Sequence, residues 1–284
     1  MPTLPHIVKC SDATHFLAQV HQLGRRGWVF RGHARAEWQL QPSLHRLFVR
    51  HRDKIPESSW YKREKEIIRR FRHVAHLHLR HLPQRADPLS WLALMQQYGG
   101  PTRLLDFTFN PTVALYFALR EAEPGKGPFC VHAMHLDVIR ECSRKARQGA
   151  SSSRAKLPRN PRAKEYGIGE AKSPAEFVGL YDENMGNERL AAQEGVFLVP
   201  SRIDFDYSSW LRSISPRNMP EPYGAHWLEF CFENGDIESY YDLVKQITYM
   251  GMSPLRLFPG LDGVCESFRF AGWLEVSKDL TPGT

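Results

Sequence analysis

The first residue whose type and position could do chemistry is Arg31, which ends the apolar segment 28–30 and precedes Gly32. A guanidinium presents paired N–H donors that hold a phosphate or a ribose with a geometry that lysine cannot match. Because Gly32 has no side chain, we expect a ligand to approach the backbone closely there. His33 follows, and as a neutral imidazole it could position a substrate or cap the turn.

Asp106 and Thr108 lie in a second apolar segment, residues 104–108. Thr108 ends this predicted strand just before a helix start, where free N–H groups and the helix dipole favour an anion. A carboxylate in so apolar a segment is costly to bury unpaired, so we expect Asp106 to be buried and bonded to Arg103, Arg31 or backbone N–H groups. For Arg103 and Asp106, a pair that only locks the core is favoured over a binding role.

Gln193 and Glu194 precede the apolar segment 195–199, which predicts a third strand. Either side chain could supply charge or a hydrogen bond to a ligand held by Arg31 and Thr108. Whether these residues share one cleft, or lie apart as independent core pairs, decides between a working site and a purely structural arrangement.

Metal and disulfide sites are not expected. The five cysteines are scattered and contain no CxxC pair, which argues against a disulfide framework and a structural zinc site. Four histidines at helical spacing lack an accompanying carboxylate or cysteine, so they predict a solvated basic helix face: His73, His76, His78 and His81. The motifs of P-loop NTPases, zinc proteases, serine hydrolases and dinucleotide folds are missing where they would be needed.

The elements that must position these residues alternate without the even βα rhythm of a doubly wound sheet, which favours an α+β fold. Hydrophobic periodicity, N-caps and glycine stops predict helices over residues 11–23, 58–81, 87–98, 112–120 and 137–142, and from residue 236 or 239 to residue 250. Strands are predicted over residues 27–32, where the strand ends in a turn, and over residues 104–108, 129–136, 195–199 and 226–232. Residues 38–46 are predicted to form a loop, and residues 257–263 a tight turn.

Composition narrows the class of protein. With 42% apolar residues among 284, the chain can bury a core, and it has no apolar run long enough to span a membrane. With no secretion signal at the N-terminus, we expect a cytoplasmic protein. The net charge of +7 favours an acidic partner such as nucleic acid or a phosphorylated ligand, although solubility alone can account for it.

Residues 140–172 predict a basic, poorly ordered insertion. From Arg140 to Lys164 there are nine Lys or Arg residues and one acidic residue, Glu141. A solvated loop is favoured slightly over an arm that binds a polyanion, and a protein partner is also open.

Several motifs together resemble the FRG domain family, and they extend from residue 28 to residue 263, so that the whole chain is interpreted as one domain. The blocks are Phe30-Arg31-Gly32-His33; Trp38-x-Leu40-x-Pro42-Ser43-Leu44-x-Arg46; residues 97–118, which include Gly99-Gly100-Pro101-Thr102-Arg103; residues 193–197; and Leu257-Phe258-Pro259-Gly260-Leu261-Asp262-Gly263.

A more distant resemblance connects the same residues to ADP-ribosyltransferases. In those enzymes the first strand of a split sheet carries Arg or His, a second ends in Ser or Thr before a helix, and a third carries Glu or Gln. This implies an α+β fold with a split, mixed or antiparallel sheet flanked by helices, and NAD as substrate. Arg31, Thr108, Gln193 and Glu194 would be catalytic; Arg31, His33, Asp106 and Thr108 would bind NAD. Gly195 stands where the carboxylate is expected, so that role passes to Gln193 or Glu194.

Two functions therefore remain open. One is an NAD-consuming transferase, acting as a toxin or phage-defence effector on nucleic acid or protein. The other is a non-catalytic module that binds nucleic acid or a partner protein through its basic surface and the 140–164 segment.

Overall fold

A mixed β-sheet forms the centre of the molecule. The computed structural model describes residues 5–24, 27–150, 163–168, 175–182, 188–214 and 223–270. Within these residues seven strands form one sheet in the order β1-β7-β4-β2-β3-β6-β5, and every neighbouring pair except β1 and β7 is antiparallel. The strands are β1 (His6–Cys10), β2 (Trp28–His33), β3 (Leu105–Thr108), β4 (Phe129–His135), β5 (Val178–Tyr181), β6 (Gly195–Pro200) and β7 (Trp227–Phe232).

Helices cover both faces of this sheet. They are α1 (Ala13–Gln22), α2 (Ser43–Arg50), α3 (Trp60–Ala75), α4 (Pro88–Gln97), α5 (Pro111–Glu121), α6 (Leu136–Ala150), α7 (Glu188–Ala192), α8 (Tyr207–Ser213), α9 (Ile237–Tyr249), α10 (Pro254–Leu257) and α11 (Leu261–Ser267). One buried cluster packs α1, α5 and α9 on the sheet, and a second packs α6 and α8 on its opposite face. The chain is therefore α+β, with a seven-stranded mixed sheet flanked by helices.

The sheet is weakly joined between β2 and β3. Phe30 opposite Thr108 is the one register pair of these strands, whereas β2 pairs with β4 over its whole length from Trp28 to His33. Beyond Phe30 the two strands diverge, so their facing backbone groups need other partners. This opening is the structural origin of the cleft described below.

Gly32 serves packing rather than the approach of a ligand to its backbone, which corrects the expectation from the sequence. A Cβ atom on Gly32 would lie 2.1 Å from the carbonyl oxygen of Ala114 and 2.5 Å from the amide nitrogen of Ala118. Helix α5 thus occupies the space that the missing side chain leaves. A glycine is required because α5 lies directly against β2.

Local signals predicted four helix starts correctly. The side chains of Asp12, Asp87, Asn110 and Asp236 accept N–H groups in the first turns of α1, α4, α5 and α9, as Asx caps should.

The predicted loop over residues 38–46 is wrong in its second half, because α2 begins at Ser43. Leu44 and Phe48, one turn apart, are buried and hold this helix on the core. Helix α3 ends at Ala75 rather than at residue 81, since the residues after it, such as the 69% exposed Leu77, have no core to pack against.

The predicted basic insertion is partly corrected as well. Residues 140–150 belong to the helix α6, whereas residues 151–162 and 169–172 lie outside the described residues. Among the described residues of the segment, three cations pair with carboxylates: Arg140 with Asp137, Lys145 with Glu141 and Arg147 with Glu165. In the described part of the chain, no helix combines the length and the apolar character that crossing a membrane requires.

Candidate functional site

A cleft of about 1090 Å³ opens where β2 and β3 diverge. Strands β2, β3 and β6 line its floor, and α2, α4, α5 and α7 contribute its walls. The volume lies slightly above the range of roughly 300–1,000 Å³ that small-molecule sites occupy. Of the residues selected from the sequence, it is lined by Arg31, His33, Asp106, Thr108 and Gln193.

Arg31 fills the gap between the diverging strands. Its Nη1 atom donates to the backbone carbonyl of Asp106 at 2.7 Å and lies 3.5 Å from Oδ2 of the same residue. The guanidinium thus satisfies a carbonyl in the opening between the strands while its side chain stays 19% exposed toward the cleft. Arg31 is held in place by structure and is also accessible to a ligand.

Asp106 is exposed rather than buried, contrary to the expectation from its apolar neighbours. Its side chain is 60% exposed, and it accepts a 2.6 Å hydrogen bond from the amide of Gln96 as well as facing Arg31. The pair with Arg103 does not form. Arg103 is fully buried and instead donates to Glu64, with Nε 2.6 Å from Oε1. Asp106 therefore offers the cleft a solvated carboxylate.

The side chains of Thr108 and Gln193 are largely occupied by hydrogen bonds within the protein. The buried hydroxyl of Thr108 donates to the carbonyl of Gln193 at 2.7 Å and accepts the amide N–H of Asn110 at 2.9 Å. The side-chain amide of Gln193 donates to the carbonyl of Leu257 at 3.0 Å. These bonds tie β3, the start of α5 and the turn before β6 together at one end of the cleft.

Glu194 lies in the turn before β6 rather than on the strand, with φ of +47°. It is not among the residues that line the cleft. Its carboxylate accepts the side-chain N–H of Asn110 at 2.9 Å and so braces the cap residue of α5. Of the two neighbours proposed from the sequence, Gln193 lines the cleft and Glu194 does not.

His33 is buried between the cleft and a second histidine. Its Nε2 lies 3.3 Å from Nε of Arg31, and its Nδ1 lies 3.2 Å from Nε2 of His132. Burial first, and then the neighbouring His132, hold the pKa of His33 far below its usual range, and burial lowers that of His132 to about 3. Both rings are therefore neutral, and His33 accepts the N–H of Arg31 and so orients the guanidinium.

His33, Cys130 and His132 are also the group of described residues that could hold a metal ion. A metal on the inner ring nitrogens would require N–H groups on the outer ones. The outer nitrogen of His132 instead receives the indole N–H of Trp227 at 3.2 Å, and that of His33 faces the N–H of Arg31. These outer contacts do not suit a metal ion, and we assign the group to the positioning of Arg31.

Family comparison identifies the part of the chain that builds most of this cleft. Residues 26–127 match the family model of the FRG domain. The chain contains an FRG domain. No curated protein and no solved structure shows a significant match to the chain. Arg31, His33, Asp106 and Thr108 lie within the matched residues, whereas Gln193 and Glu194 lie beyond them.

The FRG domain supplies arginines that the sequence analysis did not select for the site. Arg46 and Arg50 of α2 line the cleft together with Arg31. Burial and the repulsion of Arg31 and Arg50 lower the pKa of Arg46, whose Nη1 donates to the carbonyl of Gln41. Arg46 ends the second FRG motif, but its position on a predicted loop concealed that its side chain would face Arg31.

Two further arginines line the cleft. Arg120, at the end of α5 in the FRG domain, is bonded to the buried Glu266, and Arg189 of α7 contacts the ring of Phe258 at 4.6 Å. Burial and the charge of Arg120 lower the pKa of Arg189. Among the described residues, five arginines and three acidic residues line the cleft: Arg31, Arg46, Arg50, Arg120 and Arg189 with Glu37, Asp106 and Glu121.

Proposed function

We propose that the cleft binds NAD and that the protein is an ADP-ribosyltransferase-like enzyme. The observation that carries this proposal is the meeting of Arg31, Arg46 and Arg50 in one cleft. Arginines that repel one another at a partly buried site are stabilised by an anion between them. A pyrophosphate carries two negative charges and accepts the paired donors of guanidinium groups.

The opening between β2 and β3 supports a dinucleotide as the ligand. Three strands that the sequence analysis connected with NAD are neighbours in the order β2-β3-β6, and the cleft runs across them. Its volume leaves room for a ligand with two rings, and the exposed ring of Trp38 at its rim offers a stacking surface.

Asp106 is the carboxylate best placed to assist the reaction. Cleavage of the bond between nicotinamide and ribose develops positive charge on the ribose, and a carboxylate at that point stabilises it. Glu194 is bonded to Asn110 outside the lining, so its predicted role passes to Asp106, whose orientation Gln96 and Arg31 fix. Arg31 would hold the ligand, and His33 would keep Arg31 oriented.

The experiment is incubation of the full chain with labelled NAD, reading nicotinamide release and transfer of label to added nucleic acid or protein. Asp106→Asn should reduce turnover by about 100-fold or more with NAD binding retained, because it removes charge stabilisation from the transition state. Arg46→Gln should weaken NAD binding. Glu238→Gln, on the exposed start of α9, is the matched control and should change neither quantity.

A non-catalytic binding module is the second candidate. It is favoured by the internal hydrogen bonds that occupy Thr108 and Gln193. If the wild type binds NAD without releasing nicotinamide, the cleft is a sensor or binding site. If the wild type fails to bind NAD at all, the proposal is overturned.

A further inference from the structure

The positive charge of the chain is concentrated in two segments, residues 46–85 and residues 140–164. Residues 46–85 contain twelve Lys or Arg and four Asp or Glu residues, a net charge of +8, and the nine cations and one acidic residue of 140–164 give +8 as well. Since the whole chain carries +7, all other residues together carry a net charge of −9. We call residues 46–85 the basic face; its cations are Arg46, Arg50, Arg52, Lys54, Lys62, Arg63, Lys65, Arg69, Arg70, Arg72, Arg80 and Arg85.

The cations of the basic face that lie on α3 face the solvent. On α3 the single fully buried charged side chain is Glu64, which points inward to Arg103, and the apolar residues Trp60, Ile68 and Ala75 are buried with it. Lys62, Lys65 and the other helical cations consequently lie on the exposed side. A helix of sixteen residues is about 24 Å long, which matches roughly seven base pairs of a nucleic-acid duplex.

Few of these charges are neutralised by the residues that the structure describes. Arg52 pairs with Glu57, and Arg69 and Arg70 share Glu66. In the described part of the chain, no acidic side chain forms an ion pair with Lys54, Lys62 or Lys65. Their repulsion is relieved when a polyanion binds.

The basic face continues into the cleft. Arg46 and Arg50 belong to both, and α2 is fixed to α3 because Trp60 packs on Phe48 and His45 with ring centroids 5.4 and 5.5 Å apart. A long anion on α3 would therefore pass along the mouth of the cleft.

We propose that the basic face binds nucleic acid and presents it to the cleft. Nine of its twelve cations are arginines, whose planar donors match phosphate oxygens. A membrane would require an apolar helix face to insert, and that face of α3 is buried in the core. That the bound nucleic acid is the acceptor of ADP-ribose rests on the proposed function, whereas its binding does not.

The test measures the binding of labelled RNA and DNA duplexes of about 20 base pairs to the full chain at salt concentrations between about 50 and 200 mM. The variant Lys54→Gln/Lys62→Gln/Lys65→Gln should bind about tenfold more weakly or worse, and its salt slope on DNA should fall by about 0.9 for each lost phosphate contact. The control Lys9→Gln/Lys126→Gln/Lys245→Gln makes the same charge change away from the basic face and should bind like the wild type. Equal melting temperatures exclude unfolding as the cause.

Equal losses in both triple variants would show an effect of net charge alone and overturn the proposal. So would binding of phosphatidylserine vesicles or polyglutamate in preference to both nucleic acids. Because these measurements contain no NAD, their outcome is independent of nicotinamide release. Nucleic-acid binding without NAD turnover would defeat only the proposed enzyme activity.

Discussion

The ion pair of Arg103 and Glu64 is fully buried, so the stability of the protein depends on it. Arg103 also donates to the carbonyls of Tyr166 and Ser201, so its guanidinium connects α3 to segments far away in sequence. Glu64→Gln should lower the free energy of unfolding by about 3–5 kcal/mol, because it leaves a buried charge unpaired. Urea unfolding measures this loss.

The control for that prediction is Glu66→Gln, two residues further along α3 and on its solvent side. Glu66 binds Arg69 and Arg70 at the surface, and its replacement should leave the urea midpoint almost unchanged. Similar losses in both variants would show that α3 is sensitive to any change in charge and not to the buried pair.

For Asp106 the structure leads to the opposite stability prediction from the one that its apolar neighbours in the sequence suggest. A buried Asp106 would make Asp106→Ala as damaging as the loss of Glu64. In the structure its side chain is 60% exposed, so the variant should lose at most about 1 kcal/mol of stability. A loss of several kcal/mol in urea unfolding would contradict the exposed position of this carboxylate.

These two residues show what sequence reasoning could and could not establish at this scale. The sequence indicated correctly that Arg103 and Asp106 each need a hydrogen-bonding or ionic partner. Which of them was buried could not be inferred, because Glu64 lies 39 positions earlier and is brought to Arg103 by packing of α3. The residue types were therefore enough to identify the polar groups, but their partners are determined by tertiary contacts.

At the scale of elements, the close contact of β2 with α5 sets the position of the cleft floor. Gly32→Ala should destabilise the protein by about 3 kcal/mol, since the new methyl group would overlap the backbone of Ala114 and Ala118. Gly149→Ala, in the last turn of α6 with open space around it, should instead be neutral or stabilise by up to about 1 kcal/mol. Thermal unfolding compares the two; equal melting temperatures would contradict the packing described.

Element starts were predictable where a side chain signals them locally. Asp12, Asp87 and Asn110 cap helices that periodicity alone would place less accurately. The divergence of β2 from β3 has no such signal, because it depends on how two strands 75 residues apart meet at Arg31 and Asp106. The site residues could therefore be selected from the sequence, whereas the opening that makes them a cleft could not.

At the scale of the whole molecule, buried histidines couple stability to pH. Burial lowers the pKa of His33, His132, His135 and His226, while it raises that of Glu229 to about 7. The stabilisation from neutral histidines is present above about pH 6.5 and is lost as pH falls, since the unfolded chain then binds more protons. Glu229 acts in the opposite direction, because its contribution is present below about pH 4.5 and is lost as pH rises through about 7.

Four histidines outweigh one carboxyl group, so the free energy of unfolding should decrease on acidification below pH 6.5. Each fully depressed histidine contributes up to about 1.4 kcal/mol per pH unit to this slope. His132→Gln should reduce the slope by about that amount, whereas His76→Gln, exposed after α3, should leave it unchanged. Urea unfolding of the three proteins between about pH 5 and 8 measures the slopes. A wild-type slope equal to that of His132→Gln would mean that His132 is already protonated in the folded protein, which its position between Trp227 and His33 does not permit.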